Sequence, residues 1–239
     1  MLLVPRNPVR FVYHSVKLFP VLCLLTAWPL SAQSVDDVFA RLDKSAQGFK
    51  TLGADIKQTA HTAIVNDDST ENGTIRLKRV KVGETHILVD FTKPDPKTVS
   101  IAAGEVRIYI PKAKTVQVYD LRSKRSILEQ GMLLGFGATS AEIKAAYDVR
   151  YVGQESIAGQ PSGHIRLVPK SREVLQTLKS AELWISDALG VPVQQKFITS
   201  GNGDYTMIQY TNLKINPALG DKYLKLSVPK DVPIQQIGK

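Results

Sequence analysis

From Leu52 onward the chain alternates apolar and polar residues with a period of two, in short runs that continue almost to its end. Successive side chains of a β-strand point to opposite faces, so this pattern predicts a sheet with one greasy side. "LGADIKQTAHTAIV" and "GTIRLKRV" read as hairpin partners around a turn at "NDDSTENG". "ETHILVDF" follows and closes at "TKPDPK", whose prolines mark a turn. "KTVSIAA", "EVRIYIP" and "TVQVYDL" continue the meander, separated by "GE" and "KAK". "VRYVGQESI", "GHIRLVP", "SAELWISD", "VPVQQKFITS" and "DYTMIQYTNLKI" resume it later, and "YLKLSVP" reads as a last short strand. About eleven short strands predict a mainly β chain.

One stripe of each strand is apolar. It holds Ile75 and Leu77, then Ile87, Val89 and Phe91, then Val106, Ile108 and Ile110. It continues through Val116 and Val118, Ile165 and Leu167, and Leu183 and Ile185. The opposite stripe carries Arg107, Gln117, Arg166 and Glu182. A sheet of this kind must cover its apolar face. The space under the cover is either a packed core or a ligand cavity, and alternation alone does not choose.

Two segments can supply the cover, which makes the chain α+β. Ser34 and Asp37 form a capping-box variant ahead of Val35, Val38, Phe39, Leu42, Ala46 and Phe49, which recur at helical spacing. Residues 126–149, "SILEQGMLLGFGATSAEIKAAYDV", have no alternation. They combine large apolar residues with Gly131, Gly135 and Gly137, and Ser140 is placed to cap a short helix through Tyr147.

The first 32 residues read as a secretory leader: Arg6, Arg10 and Lys17, then "LFPVLCLLTAWPL", then small residues up to Ala32. The apolar stretch is too short to span a bilayer. Residues 33–239 are then expected to form one domain. Cys23 is the chain's one cysteine and lies in the leader, which excludes a disulfide framework and thiolate chemistry for the rest. The formal charge of +9 favours anionic surfaces or simple solubility.

Little points to catalysis. His61, His86 and His164 are scattered through strands, and no HExxH, GxSxG, GxGxxG or P-loop pattern is present. Asp67, Asp68 and Glu71 read as solvated turn acids whose spacing fits no EF-hand loop. No metal, cofactor or nucleic-acid partner is expected, and the chain is expected to be a monomer.

One charge sits on the apolar stripe. Arg79 follows Ile75 and Leu77 at the same parity, while Arg76 and Lys78 face the other way. A strand-end arginine can snorkel to water, and nothing in the alternation requires more of it.

Several segments together resemble the periplasmic outer-membrane lipoprotein carrier proteins, the LolA family. They are "RLDKSAQGFKTLGADIKQTA", "GTIRLKR", "IRLVPKS", "LWISDALGVPVQQKF" and "YTNLKINPALGDKYLKLSVPKDVPI" with Asn216 and Val228-Pro229. The resemblance implies an open antiparallel β-barrel with a helical lid over a concave apolar face that takes lipoprotein acyl chains. It implies a periplasmic carrier loaded by an inner-membrane ABC transporter and unloaded at an outer-membrane receptor, with no cofactor. It gives the stripe residues named above the role of lining the cavity. Met132, Leu133, Leu134 and Phe136 become lid residues, hinged at the three glycines. Arg79 takes the position of the arginine that holds the lid shut through backbone carbonyls. The sequence departs from the family in having Val80 where a proline is usual, and in few aromatics along the strands. A carrier of another lipid or glycolipid, and a lipid-sensing regulatory module, would suit the same fold.

Overall fold

The computed structural model describes residues 34–81, 84–122 and 134–237. The leader, Gly131, Met132 and Leu133 lie outside these residues.

Helix α1 (Val35–Gln47) opens the described chain. Its capping box is complete: Ser34 Oγ accepts from the Asp37 amide, and the Asp37 carboxylate accepts from the Ser34 amide. The Ser34 amide, and the Ser34 hydroxyl with it, donate to the Asp37 carboxylate and hold it below its ordinary pKa. Val38, Phe39, Leu42 and Ala46 form its buried stripe.

The strands follow as β1 (Thr51–Thr62), β2 (Asp67–Lys81), β3 (Glu84–Lys93), β4 (Lys97–Ala102), β5 (Glu105–Ile110) and β6 (Thr115–Asp120). After the short helix α2 (Ser140–Ala146) come β7 (Tyr147–Ile157) and β8 (Gln160–Pro169). One helical turn, α3 (Arg172–Leu175), leads to β9 (Leu178–Ser186), β10 (Pro192–Thr199) and β11 (Tyr205–Ile215). The described residues end in β12 (Ile234–Ile237).

The twelve strands among the described residues form one sheet in the order β12-β6-β5-β4-β3-β2-β1-β11-β10-β9-β8-β7. β12 and β7 are its two edges, so the sheet does not close. Every described pairing is antiparallel except β12 on β6, which is parallel. The protein is therefore mainly β, with few helices, as its alternation predicts.

Three readings of the sequence need correction. "YLKLSVP" is not a strand: Asp221–Leu224 forms a 3-10 turn, and residues 225–229 have no ladder partner. Its alternation has another cause. The 3-10 turn lies against β2 and β3, where Leu224 is buried and Lys78 Nζ bonds Asp221 at 2.6 Å. The true last strand, "IQQI", is exposed throughout and shows no alternation in burial, because it is held by backbone pairing to β6.

Residues 67–71 are not turn but strand. They pair with β1 from Thr62↔Asp67 to Gln58↔Glu71, and the turn is confined to 63–66. The segment looked like a turn because β3 reaches only to Asn72, so this end of the hairpin projects into water.

Val116 and Val118 are not on the face of Ile75 and Leu77. Paired residues share a face, and the ladder runs Leu77↔Ile87↔Ile101↔Val106↔Tyr119, which puts Tyr119 and Gln117 on that face. Val116 and Val118 are nonetheless buried, since β12 and Pro233 come alongside: the Val116 amide donates to the Pro233 carbonyl. A second apolar patch exists on the far side because the C-terminal segment crosses it.

The core divides into two clusters on the Ile75–Leu77 face. One joins α1, Leu134, Ile143 and Tyr147 to Ile165, Leu167, Leu183 and Ile185. The other joins Phe49, Leu52, Ile56, Phe136, Val191 and Tyr210 to Leu77, Ile87, Val89 and Phe91.

Candidate functional site

Residues 134–139 form a strap between the two clusters. Leu134 enters the first and Phe136 the second, both almost fully buried. Two glycines make this path possible. Gly135 and Gly137 have φ of +86° and +69°, where a side chain is strained. A Cβ on Gly137 would also come 2.6 Å from Arg79 Nη2 and 2.7 Å from Phe49 Cδ1.

Polar residues standing on the apolar face hold the strap at both ends. Arg79 Nη2 donates to the Gly137 carbonyl at 2.8 Å, and its guanidinium lies 5.8 Å from the centre of the Phe49 ring. Arg79 is therefore not simply a snorkelling strand end. Its own amide bonds the Lys50 carbonyl, which fixes the base of the side chain. At the other end Gln195 Nε2 donates to the Leu134 carbonyl at 2.6 Å, and the Tyr210 hydroxyl donates to Gln195 Oε1 at 2.6 Å. Burial pushes the Tyr210 phenol far above its ordinary pKa, so it stays a donor. Phe136 meets Tyr210 edge to face at 5.1 Å.

Beyond the strap the chain is locked to α1. Thr139 and Glu142 form a capping box at the start of α2, so the cap is Thr139 rather than Ser140. Bonds from the Thr139 amide and hydroxyl hold the Glu142 carboxyl below its ordinary pKa. Ser140 instead bonds Asp43 of α1 twice, through its amide and its hydroxyl, each at 2.6 Å.

The stripe residues fall into three groups. Ile165, Leu167, Leu183 and Ile185 are sealed beneath α1 and Leu134, and Leu77, Ile87, Val89 and Phe91 lie in the cluster that holds Phe136. Ile75, Val106, Ile108 and Ile110 share their face but are half-buried. Val116 and Val118 belong to the other face. An open recess of about 650 Å³ spans β2, β1 and β11, with Ala54, Ile75 and Leu213 among its lining residues.

Sequence reading passed over Gln195 and Tyr210. The signal was available: Gln195 alternates with Val193 and Phe197, and Tyr210 with Ile208, so each is polar on an apolar stripe just as Arg79 is. A third grouping lies on the opposite face. His164 stacks on Trp184 with centroids 4.1 Å apart, and Glu155 bonds both rings. The Trp184 indole first, and His164 with it, hold the Glu155 carboxyl below its ordinary pKa. Among the described residues no cluster suits a metal ion, and no helix is long and apolar enough to cross a membrane.

Fold and site together define a class: a single unclosed β-sheet whose apolar face is filled by a helix and a hydrogen-bonded strap. No protein-family model matches the sequence, and no curated protein matches it. Solved structures do. An uncharacterized conserved protein from Thermus thermophilus is 15% identical over 85% of this chain and 99% of that one, with a TM-score of 0.50. The Mycobacterium tuberculosis lipoprotein LppX is 11% identical over 78% of this chain and 99% of that one, with a TM-score of 0.47. A LolA superfamily protein from Nitrosomonas europaea is 12% identical over 82% of this chain and 99% of that one, with a TM-score of 0.39. At these identities the likeness concerns the fold alone.

Proposed function

We propose that the protein is a carrier of acyl chains, and specifically a periplasmic carrier of lipoproteins. In this reading the sheet is an open barrel, α1, α2 and the strap are its lid, and residues 33–239 are one monomeric domain released from a leader. Cargo would come from an inner-membrane ABC transporter and leave at an outer-membrane receptor.

The observation that carries the reading is the position of Leu134 and Phe136. Two large side chains of an irregular strap fill the apolar face, and that strap is fastened by hydrogen bonds from Arg79 and Gln195 rather than by a ladder. An acyl chain can replace such a plug. A sixteen-carbon chain leaving water is worth on the order of 12 kcal/mol. A carrier that kept all of this could not unload. Reinsertion of two apolar side chains, each worth about 1.5–3 kcal/mol, and closure of the latches would return part of it. Arg79 is then the gate: it stabilises the closed, empty form and so favours release.

Native mass spectrometry with a tripalmitoylated lipopeptide tests this. A one-to-one complex is expected. Failure to bind the lipopeptide, or equal retention of an unlipidated peptide, contradicts it.

A further inference from the structure

Gln195 is almost fully buried, and its ladder neighbours on both sides are apolar: Leu183 on β9 and Ile208 on β11. The amide has two ends, and the Leu134 carbonyl, which only accepts, sets with the Tyr210 hydroxyl which one faces the strap. By donating its hydroxyl to Oε1, the phenol turns Nε2 outward. Burial keeps that phenol protonated, so it retains a proton to donate to Oε1. In this arrangement the apolar face presents a hydrogen-bond donor. In the closed form this donor is matched by the Leu134 carbonyl at 2.6 Å.

Displacing the strap removes that carbonyl. A plain hydrocarbon chain would leave Nε2 buried against Leu183, Ile208 and methylene groups with no acceptor, and an unmatched buried donor is costly. A chain carrying an ester or amide carbonyl supplies what Leu134 supplied. We infer that Gln195, oriented by Tyr210, is a recognition site for the carbonyl of an acyl ester or acyl amide. Leu134 thus mimics the ligand: its side chain stands for the hydrocarbon, and its backbone carbonyl for the acyl linkage. The inference rests on the carrier reading and narrows its ligands to acylated ones, in preference to alkyl ethers and bare hydrocarbons of equal length.

Two monoglycerides with sixteen-carbon chains separate these cases: 1-palmitoylglycerol, with an ester carbonyl, and 1-O-hexadecylglycerol, whose ether oxygen is a weaker acceptor. Titration calorimetry on the wild-type protein, below the lipids' aggregation concentrations, is expected to show the ester bound roughly tenfold more tightly or better. Gln195→Leu should bring the ratio close to one. Tyr210→Phe, which keeps the ring but frees the amide to turn, should lower the ratio part of the way and guards against a folding defect in the first variant. Equal affinity in the wild type overturns this inference alone, as does a ratio that survives Gln195→Leu. Failure of both monoglycerides to bind while the tripalmitoylated lipopeptide binds overturns this inference alone; failure of the lipopeptide as well overturns the carrier reading with it.

Discussion

Arg79 on β2 and Gly137 on the strap are 58 positions apart in sequence, yet they are joined by one charge-assisted hydrogen bond of 2.8 Å. The contact depends on what is missing at Gly137 as much as on the guanidinium, since a Cβ there would overlap Arg79 Nη2.

Replacing Arg79 by Leu removes the latch and leaves the apolar face continuous. The variant is expected to bind lipopeptide at least as well as the wild type and to release it more slowly. Hydrogen bonds to charged groups are worth about 1.5–3 kcal/mol, so the transfer rate to acceptor membranes or receptor should fall by about tenfold or more. Equal transfer rates would remove Arg79 from the mechanism.

Gly137→Ala attacks the same bond from the other side. The added methyl group must strain a positive φ and push Arg79 and Phe49 apart, at a cost above about 1 kcal/mol. Its phenotype should match that of Arg79→Leu in the transfer assay. Gly153→Ala, where a Cβ meets open space, should behave as wild type.

Phe136→Ala empties the plug. The ligand-free protein should lose stability, by about 3–5 kcal/mol if the site does not collapse. Ligand affinity should rise, because less packing is given up on binding. Thermal unfolding with and without lipopeptide reads both effects: a lower midpoint when empty, and a larger upward shift on loading. A variant that loses stability and affinity together would place Phe136 in a permanent core.

Asn216 ties the end of β11 to the turn before β1, accepting from the Lys50 amide at 2.8 Å and donating to the Gly48 carbonyl at 2.7 Å. Asn216→Ala should cost about 1–3 kcal/mol in chemical denaturation without altering the ester-to-ether preference. A changed preference would show that this clamp reaches the binding face.

The Glu142 carboxyl is held below its ordinary pKa by Thr139. A lowered folded pKa means stability that is present above the unfolded value and lost as pH falls through the folded one. The wild type should therefore lose its stability advantage over Glu142→Gln as pH drops below the ordinary glutamate range of about 4.3 and on through the lower folded value. Paired denaturation curves in neutral and in strongly acidic buffer check this, and an advantage that persists in acid would contradict it.

The strands of this fold are legible because most have one dry and one wet side. Where both sides are wet, as in residues 67–71, a strand reads as a turn. Where the far side is dry too, as at Val116 and Val118, parity cannot say which face is which without the register. The strap was legible only as composition, since its path depends on two positive φ angles and on partners far away in sequence. Arg79 stood out as a charge on an apolar stripe. Gln195 and Tyr210 obey the same rule, but an uncharged amide and a phenol are ordinary enough on a half-buried strand to escape notice.

The central claim is that ligand and strap compete for one apolar face. Deuterium uptake of a peptide covering residues 134–139 measures this directly, with and without saturating tripalmitoylated lipopeptide. Competition predicts faster exchange of the strap in the loaded protein, with no increase across β1 and β2. Unchanged or slower exchange of the strap on loading would contradict it.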